Sequence, residues 1–178
     1  MNQDGVMNVG HQRVAVVSGG GDPSRPAGLA LIATGDLPGG RIYLCDPDTH
    51  SIDVLDGSGQ PVFSFGGQGK GAGQLDTPVD VAILTLDGSE IASASDAVLA
   101  VAERGNNRVQ LFELDGGWLG IIEDSLREAL WLPSRLESDA RHLRVTSSMG
   151  VVARIDVSAA LMPQIAWNAT GAGLPEAA

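Results

Sequence analysis

Short apolar segments alternate with polar, glycine-containing turns along most of the chain, and the clearest example lies between residues 99 and 120. Two turns, 103–107 and 115–117, divide this stretch, and the second has the Asp-Gly composition of a tight hairpin. Between the turns, apolar and polar residues alternate, so that Val109 and Leu111 share one face of a strand. The pattern predicts three consecutive strands at residues 99–102, 108–114 and 118–122.

The same order of strands and turns occurs upstream, between residues 42 and 65. The aligned pairs are Asp46 with Glu103, His50 with Asn107, Ile52 with Val109 and Gly59 with Gly116. Because turn positions and strand positions coincide in the two stretches, we interpret the chain as a repeat protein.

A proline opens each repeat unit, at Pro26, Pro78 and Pro133, so the period is about 50 residues. The third unit is degenerate, because its first turn, 147–150, lacks the acidic residue of the other two. Four short strands per unit at this period are typical of β-propeller blades. We expect blades at about 24–66, 74–122 and 130–167. They would lie within a domain spanning 12–170, flanked by flexible tails at 1–11 and 171–178.

The composition agrees with an all-β domain. The 178 residues include 24 glycines and are 43% hydrophobic, which suits short buried strands joined by many turns. A formal net charge of −11, with Lys70 as the single lysine, weighs against nucleic acid as a partner. The single cysteine, Cys45, lies in an apolar strand, where we expect a buried thiol. The start has no signal-peptide pattern and no apolar run is long enough to span a membrane, so we expect a soluble, cytoplasmic protein.

At residues 73–83 (GQLDTPVDVAI) and 101–116 (VAERGNNRVQLFELDG) the chain resembles the NHL-repeat family. Residues 41–67 match the family's pattern well, and residues 130–167 match it weakly. The resemblance implies a β-propeller of NHL type, and such propellers generally have six four-stranded blades.

Three blades cannot close a ring without exposing sheet edges, so we expect a homodimer to complete six. Either 12–18 or 164–167 would supply the outermost strand of the third blade. The alternative is that the chain is part of a longer propeller.

In a propeller, the turn between the second and third strands of a blade lies on the same face as the segment leading into the first strand. We expect this face to be the binding surface. Its candidate residues are Arg25, Asp46, His50, Asp76, Glu103, Arg104, Asn107 and Arg108. A structural role is the alternative for each, because acidic side chains at turns bind backbone amides and asparagine suits a left-handed turn.

No catalytic motif is complete. The glycine-rich stretch 67–72 resembles a phosphate-binding loop, but Gly71 follows Lys70 where such a loop needs Ser or Thr. We therefore predict a non-catalytic binding or scaffold module for another protein or a small molecule, with no cofactor.

Two alternatives remain open. The first is a propeller enzyme of the lyase or hydrolase type with a divalent cation such as calcium over the central channel. Its oxygen ligands would be Asp46, Asp76, Asp80 and Glu103. The second is single-stranded RNA binding through Arg25, Arg104 and Arg108.

Overall fold

The computed structural model describes residues 6–9, 12–15, 27–85, 91–122, 131–139 and 142–157. Within these residues the elements are thirteen β-strands and one short 3-10 helix, Ala94–Asp96. The strands are β1 Val6–Val9, β2 Gln12–Ala15, β3 Leu29–Ile32, β4 Arg41–Asp46, β5 Ser51–Asp56, β6 Pro61–Gly66, β7 Pro78–Thr85, β8 Ala97–Glu103, β9 Arg108–Phe112, β10 Trp118–Ile122, β11 Pro133–Asp139, β12 His142–Ser147 and β13 Val152–Asp156. In the described part of the chain no helix is long and apolar enough to cross a membrane.

The strands form antiparallel sheets whose order follows the sequence. Sheet 1 is β3-β4-β5-β6, sheet 2 is β7-β8-β9-β10, sheet 3 is β11-β12-β13, and β1 pairs with β2 in a hairpin. The first two units therefore have the four strands expected of them. The third has three in the described residues, and the strand expected at 164–167 lies outside them.

The N-terminal hairpin differs from the flexible tail expected at residues 1–11. Val6–Val9 pairs in register with Gln12–Ala15, from Val6 opposite Ala15 to Val9 opposite Gln12. The first segment begins and ends with β-forming valine and the second contains Val14, and two residues separate them in sequence, which is the shortest common hairpin spacing. The tail was expected because chain termini are commonly poorly ordered, and the pairing of residues 6–9 lies within it.

Sheet 2 lies between the other two sheets, and its central strand β8 is buried along its whole length. Leu99 and Val101 belong to the core shared with sheet 1, and Val98 and Ala100 belong to the core shared with sheet 3. Alternate side chains of a strand point to opposite faces, so a strand covered on both sides is expected to be apolar at successive positions, and in β8 only the last residue, Glu103, is charged. This burial on both faces explains why residues 97–102 are all apolar.

The core between sheets 1 and 2 contains two polar side chains from β4. Tyr43 Oη donates a hydrogen bond of 2.8 Å to the Leu114 backbone carbonyl, and burial raises the pKa of Tyr43 to about 12. Cys45 is buried, as expected, and this burial raises the pKa of its thiol well above the usual value. Tyr43 thus joins the two sheets, and Cys45 is a packed core residue.

The two outer faces of the stack are chemically different. On sheet 1 the outward side chains Ile42, Leu44 and Leu55 are apolar and buried, and Ile42 is 0% exposed. On sheet 3 the inward side chains, such as Leu143 and Val145, pack against sheet 2. The outward side chains of sheet 3 are mostly charged: Arg135, Glu137, Asp139, His142, Arg144, Thr146, Val152, Arg154 and Asp156.

Candidate functional site

The turns β4–β5, β8–β9 and β12–β13 lie at one edge of the sheets, together with the segments that lead into β7 and β11. We call this edge the near rim. Its parts are joined by backbone hydrogen bonds: Arg104 N–H donates to Thr77 carbonyl (3.0 Å), and Ser148 N–H donates to Leu132 carbonyl (2.9 Å). The turns therefore share a rim with the segments leading into the first strands, as the repeat pattern predicted.

Two equivalent side chains connect each sheet to the next along the near rim. His50 Nδ1 accepts a hydrogen bond of 3.0 Å from the Thr77 backbone N–H. Asn107 Oδ1 accepts one of 2.8 Å from the Leu132 backbone N–H. All four residues are left-handed, with φ between 49° and 56°. The positions aligned from the sequence, His50 with Asn107, are thus equivalent in backbone conformation and in contact, and each clamps the residue before the next unit's opening proline.

Glu103 is a fully buried carboxylate at the near rim that accepts four hydrogen bonds. Oε1 accepts from Arg108 Nε (2.6 Å) and Gln110 Nε2 (2.8 Å). Oε2 accepts from the Asp76 backbone N–H (2.9 Å) and Asn106 Nδ2 (2.6 Å). A buried charge is tolerated only when it is paired and hydrogen-bonded, and Glu103 meets both conditions. Through these four hydrogen bonds the carboxylate holds sheet 2 against the segment before β7.

Arg108 and Gln110 hold the glycine-rich connection between sheets 1 and 2. Arg108 donates to the carbonyls of Lys70 (2.8 Å), Gly71 (3.1 Å) and Gln74 (2.8 Å). Gln110 is also buried, and its Nε2 donates to the Gln74 carbonyl. The connection therefore turns carbonyl oxygens toward a guanidinium. A phosphate site would need amide N–H groups pointing at the ligand instead.

The remaining candidates differ in how far they are engaged. Asp46 accepts hydrogen bonds from the backbone N–H groups of Asp48 and Thr49, within its own turn. Asp76 Oδ1 lies 3.4 Å from His50 Nδ1. Arg104 is exposed, and one of its guanidinium nitrogens donates to Ser148 Oγ (2.9 Å) in the next sheet. Arg25 lies outside the described residues.

Asp80, a candidate metal ligand, is placed where all three sheets meet. Its Oδ2 accepts a hydrogen bond of 2.7 Å from the Leu136 backbone N–H of sheet 3, and its Oδ1 accepts one from Val81 N–H. Gly28, before β3 of sheet 1, lies so close that a Cβ there would overlap Asp80. Burial raises the pKa of the Asp80 carboxyl, and these hydrogen bonds oppose the shift only in part.

The four proposed calcium ligands do not form a cluster. Glu103 is occupied by its donors, Asp46 by its own turn, and Asp80 by Leu136. Across the described residues no group of three or more His, Cys, Asp or Glu side chains is arranged to hold a metal ion. The geometry gives the enzyme alternative no support.

An exposed apolar surface on sheet 3 was not predicted from the sequence. It consists of Trp131, Met149, Val151 and Val152, with exposed fractions of 55%, 74%, 40% and 57%. We call it the sheet-3 patch. The β12–β13 turn carries Met149 and Val151, and Val152 begins β13. The Ser148 N–H of the same turn donates to the carbonyl of the residue that follows Trp131, so all four lie at the same end of sheet 3. The weak repeat match in this unit was the signal that its surface would differ.

The charged outer face of sheet 3 adjoins the sheet-3 patch. Val152 lies in the same row across the strands as Arg135, and the next row is Glu137, Arg144 and Arg154. Glu137 pairs with Arg135 (3.2 Å) and Arg144 (3.1 Å). This face borders an open polar cavity of about 370 Å³.

Comparison with known proteins gives one short sequence match and several structural ones. No protein-family profile matches the chain. The RING finger protein nhl-1 of Caenorhabditis elegans is 46% identical over 46 residues, which is 26% of this chain and 5% of that protein. A chain of a nidogen/laminin complex superposes with a TM-score of 0.55 at 16% identity, over 84% of this chain and 49% of the other. A hydrazine synthase chain of Kuenenia stuttgartiensis gives 0.52 at 17% identity, over 84% and 37%.

These likenesses define a class of fold. The chain is an all-β protein of stacked antiparallel sheets, and its structural neighbours are β-propellers. The match to nhl-1 supports the NHL resemblance over a short stretch. The chain spans about half or less of the length of these proteins, so their activities do not transfer to it.

Proposed function

We propose that this chain is a non-catalytic binding or scaffold module of NHL-propeller type that contacts its partner through the near rim. The proposal rests on a difference along this rim, between residues that are engaged in hydrogen bonds and residues that are exposed to solvent. Glu103, Asn107 and Arg108 are engaged in hydrogen bonds that hold the sheets together. The sheet-3 end of the same rim instead presents large apolar side chains to solvent.

The hydrogen-bonded part of the rim and its exposed apolar part both suit binding better than catalysis. Hydrogen-bonded turns give a rigid framework, and rigid frameworks reduce the entropy lost when a partner binds. Exposed Trp and Met beside Arg are residue types enriched at protein interfaces. A catalytic site would need side chains available for proton transfer or metal binding, and the most buried rim carboxylate, Glu103, is saturated with donors.

A homodimeric ring would set the outer face of sheet 3 against the outer face of sheet 1 of the partner. The first carries ion pairs such as Arg144–Glu137, and the second consists of the apolar side chains Ile42, Leu44 and Leu55. Burying those charges against apolar groups would cost more than it returns. We therefore propose that the module binds as a single chain. Light scattering across a dilution series tests this, and we expect the molar mass of a monomer at every concentration. A stable dimer would contradict the proposal and favour the homodimeric ring.

Site-specific photo-crosslinking tests the binding surface. A photoreactive residue replaces Met149 on the near rim or, as the matched control, Ser58 in the β5–β6 turn at the opposite end of sheet 1. Both positions are exposed, so both variants should fold. We expect a partner, identified and then retested as a purified protein, to crosslink from position 149 and not from position 58. Crosslinks from position 58 alone, or equally from both, would contradict the proposal.

A further inference from the structure

We infer that the junction between sheets 1 and 2 is a pH-sensitive switch, in which protonation of His50 exchanges a backbone hydrogen bond for an ion pair with Asp76. The His50 ring has two competing partners at one nitrogen. Nδ1 accepts a hydrogen bond of 3.0 Å from the Thr77 backbone N–H, and it lies 3.4 Å from Asp76 Oδ1. The switch is a property of this junction, whatever the near rim binds.

Each partner requires a different protonation state of the ring. A backbone N–H can only donate, so the bond from Thr77 requires the neutral imidazole, with a free lone pair on Nδ1 and the proton on Nε2. A proton on Nδ1 turns this acceptor into a donor, so the Thr77 N–H loses its partner. The same proton faces the Asp76 carboxylate, which accepts a charge-assisted hydrogen bond from it. Histidine is the side chain whose charge ordinarily changes between pH 5 and 8.

Among the charged groups at this junction, Asp76 is at ion-pair distance from the His50 ring, and the two side chains are 29% and 20% exposed. The charged side chains of the elements that meet here are Asp46, Asp48 and Asp53 around the β4–β5 turn, Lys70 in the connection between the sheets, Asp76 before β7, and Glu103, Arg104 and Arg108 around the β8–β9 turn. Asp46 accepts hydrogen bonds within its own turn, and Glu103 is paired with Arg108 at 2.6 Å. Arg104 donates to Ser148 of sheet 3.

Loss of the Thr77 bond has a structural consequence, because the junction is held in an unfavourable backbone conformation. His50 and Thr77 have φ values of 56° and 50°, and a β-branched residue such as threonine rarely adopts a positive φ. The Thr77 carbonyl also accepts the Arg104 N–H of sheet 2 at 3.0 Å. Protonation of His50 removes a contact that holds this conformation, so we expect the segment before β7 to open locally more often at low pH.

The junction between sheets 2 and 3 has the same geometry without a titratable acceptor. Asn107 Oδ1 accepts the Leu132 N–H at 2.8 Å, and both residues are left-handed. A carboxamide keeps its acceptor oxygen between pH 5 and 8. Of these two junctions, the one at His50 should therefore respond to pH and the one at Asn107 should not.

Nuclear magnetic resonance of the nitrogen-labelled full chain tests the switch directly. An N–H···N hydrogen bond transmits a scalar coupling between its two nitrogens, so at about pH 8 we expect a coupling between the Thr77 amide nitrogen and His50 Nδ1. At about pH 5 the coupling should vanish, the Nδ1 signal should take the position of an imidazolium, and the Thr77 amide proton should move upfield. The Leu132 amide signal should stay in place over the same range.

His50→Asn is the matched variant, because it replaces the titratable acceptor by the residue used at position 107. At about pH 5 the amides of Thr77 and Arg104 should exchange with deuterium about 10-fold faster in the wild type than in His50→Asn, which corresponds to the loss of one hydrogen bond. At about pH 7.5 the two proteins should exchange alike.

A coupling between Thr77 and His50 that persists at about pH 5, or a His50 Nδ1 that stays unprotonated there, would overturn the inference. An equal change at Leu132 would also overturn it, because such a change would reflect a general response of the fold to acid. If His50→Asn does not fold, the wild-type titration with Leu132 as the reference still decides. Crosslinking from position 149 does not depend on any of these outcomes, so the proposed function is tested separately.

Discussion

The exchange of His50 and Asn107 is the sharpest test of the idea that the repeat specifies one clamp between successive sheets. Each side chain accepts a backbone N–H from the residue before the next opening proline, and each sits at a positive φ. We expect His50→Asn to retain most of the stability, because asparagine performs the same role in the next unit. Asn107→His should do likewise. His50→Ala should be clearly destabilising.

The magnitude follows from two separable terms. Losing the acceptor removes a hydrogen bond and leaves the Thr77 N–H unsatisfied, which costs about 1–2 kcal/mol for a partly buried group. Alanine at the left-handed φ of 56° adds about 1 kcal/mol of backbone strain. His50→Gly removes the acceptor and relieves the strain, so it should fall between His50→Asn and His50→Ala. For a chain of this size the alanine variant should lower Tm by about 5–10 °C.

Equilibrium urea unfolding followed by circular dichroism measures these differences directly, with unchanged m-values showing that the unfolding transition is the same. The expected order of stability is wild type, Asn, Gly and then Ala at position 50. If His50→Asn is as destabilising as His50→Ala, the two positions are not interchangeable and the clamp is not a property of the repeat. If Gly and Ala are equal, the strain term is wrong.

Three further substitutions test the remaining structural assignments. Glu103→Gln should cost about 3–5 kcal/mol, because it leaves the buried Arg108 guanidinium without its carboxylate, while Glu113→Gln at an exposed position should be within about 0.5 kcal/mol of wild type in the same urea titration. Gly28→Ala should destabilise by more than about 2 kcal/mol, whereas Gly35→Ala, where a Cβ meets nothing within 4 Å, should be near neutral by thermal unfolding. Burial raises the pKa of Asp80, so its folded form binds a proton more tightly than the unfolded chain, and its contribution to stability is lost as pH rises from 3.8 through the raised value. Asp80→Asn should therefore gain stability relative to wild type over that pH range, and a difference that does not change with pH would disprove the assignment.

The sheets were predictable because their side chains repeat. The strand expected at 118–122 matches β10. The strand expected at 108–114 is β9, which ends two residues earlier, at Phe112, where the backbone turns. The alignment of Gly59 with Gly116 is confirmed by their φ values of 86° and 91°. Local pattern sufficed here because each strand and turn is specified by residues close in sequence.

The roles of the rim residues were not predictable to the same extent, because they depend on contacts between units. The sequence of residues 103–108 does not indicate that Arg108 donates hydrogen bonds to carbonyls some 35 positions earlier in the chain. Gln110 is a polar residue in an apolar strand, and that alone could have marked it as a buried hydrogen-bonding group. The contacts of Glu103 and Asn107 give these two residues a structural role. A binding role for the rim is a proposal.

The degenerate third unit carries the exposed apolar side chains at its end of the near rim, and its turn differs from the turns of the first two units in its contacts. In the first two units the turn side chains are committed to the next sheet: His50 bonds Thr77, and Asn107 bonds Leu132. The turn at 147–151 does not keep the acidic and asparagine positions of the first two units, and the described hydrogen bonds of the Ser147 side chain are local: its Oγ accepts from the Met149 and Val151 backbone N–H groups. Ser148 Oγ in this turn accepts a hydrogen bond from Arg104 of sheet 2, whereas the neighbouring Met149 is 74% exposed and has no side-chain donor for such a bond. Met149→Asn should therefore leave the free energy of unfolding within about 0.5 kcal/mol of wild type in the urea titration, because Met149 is 74% exposed, and a large loss of stability would mean that the turn already performs a structural task.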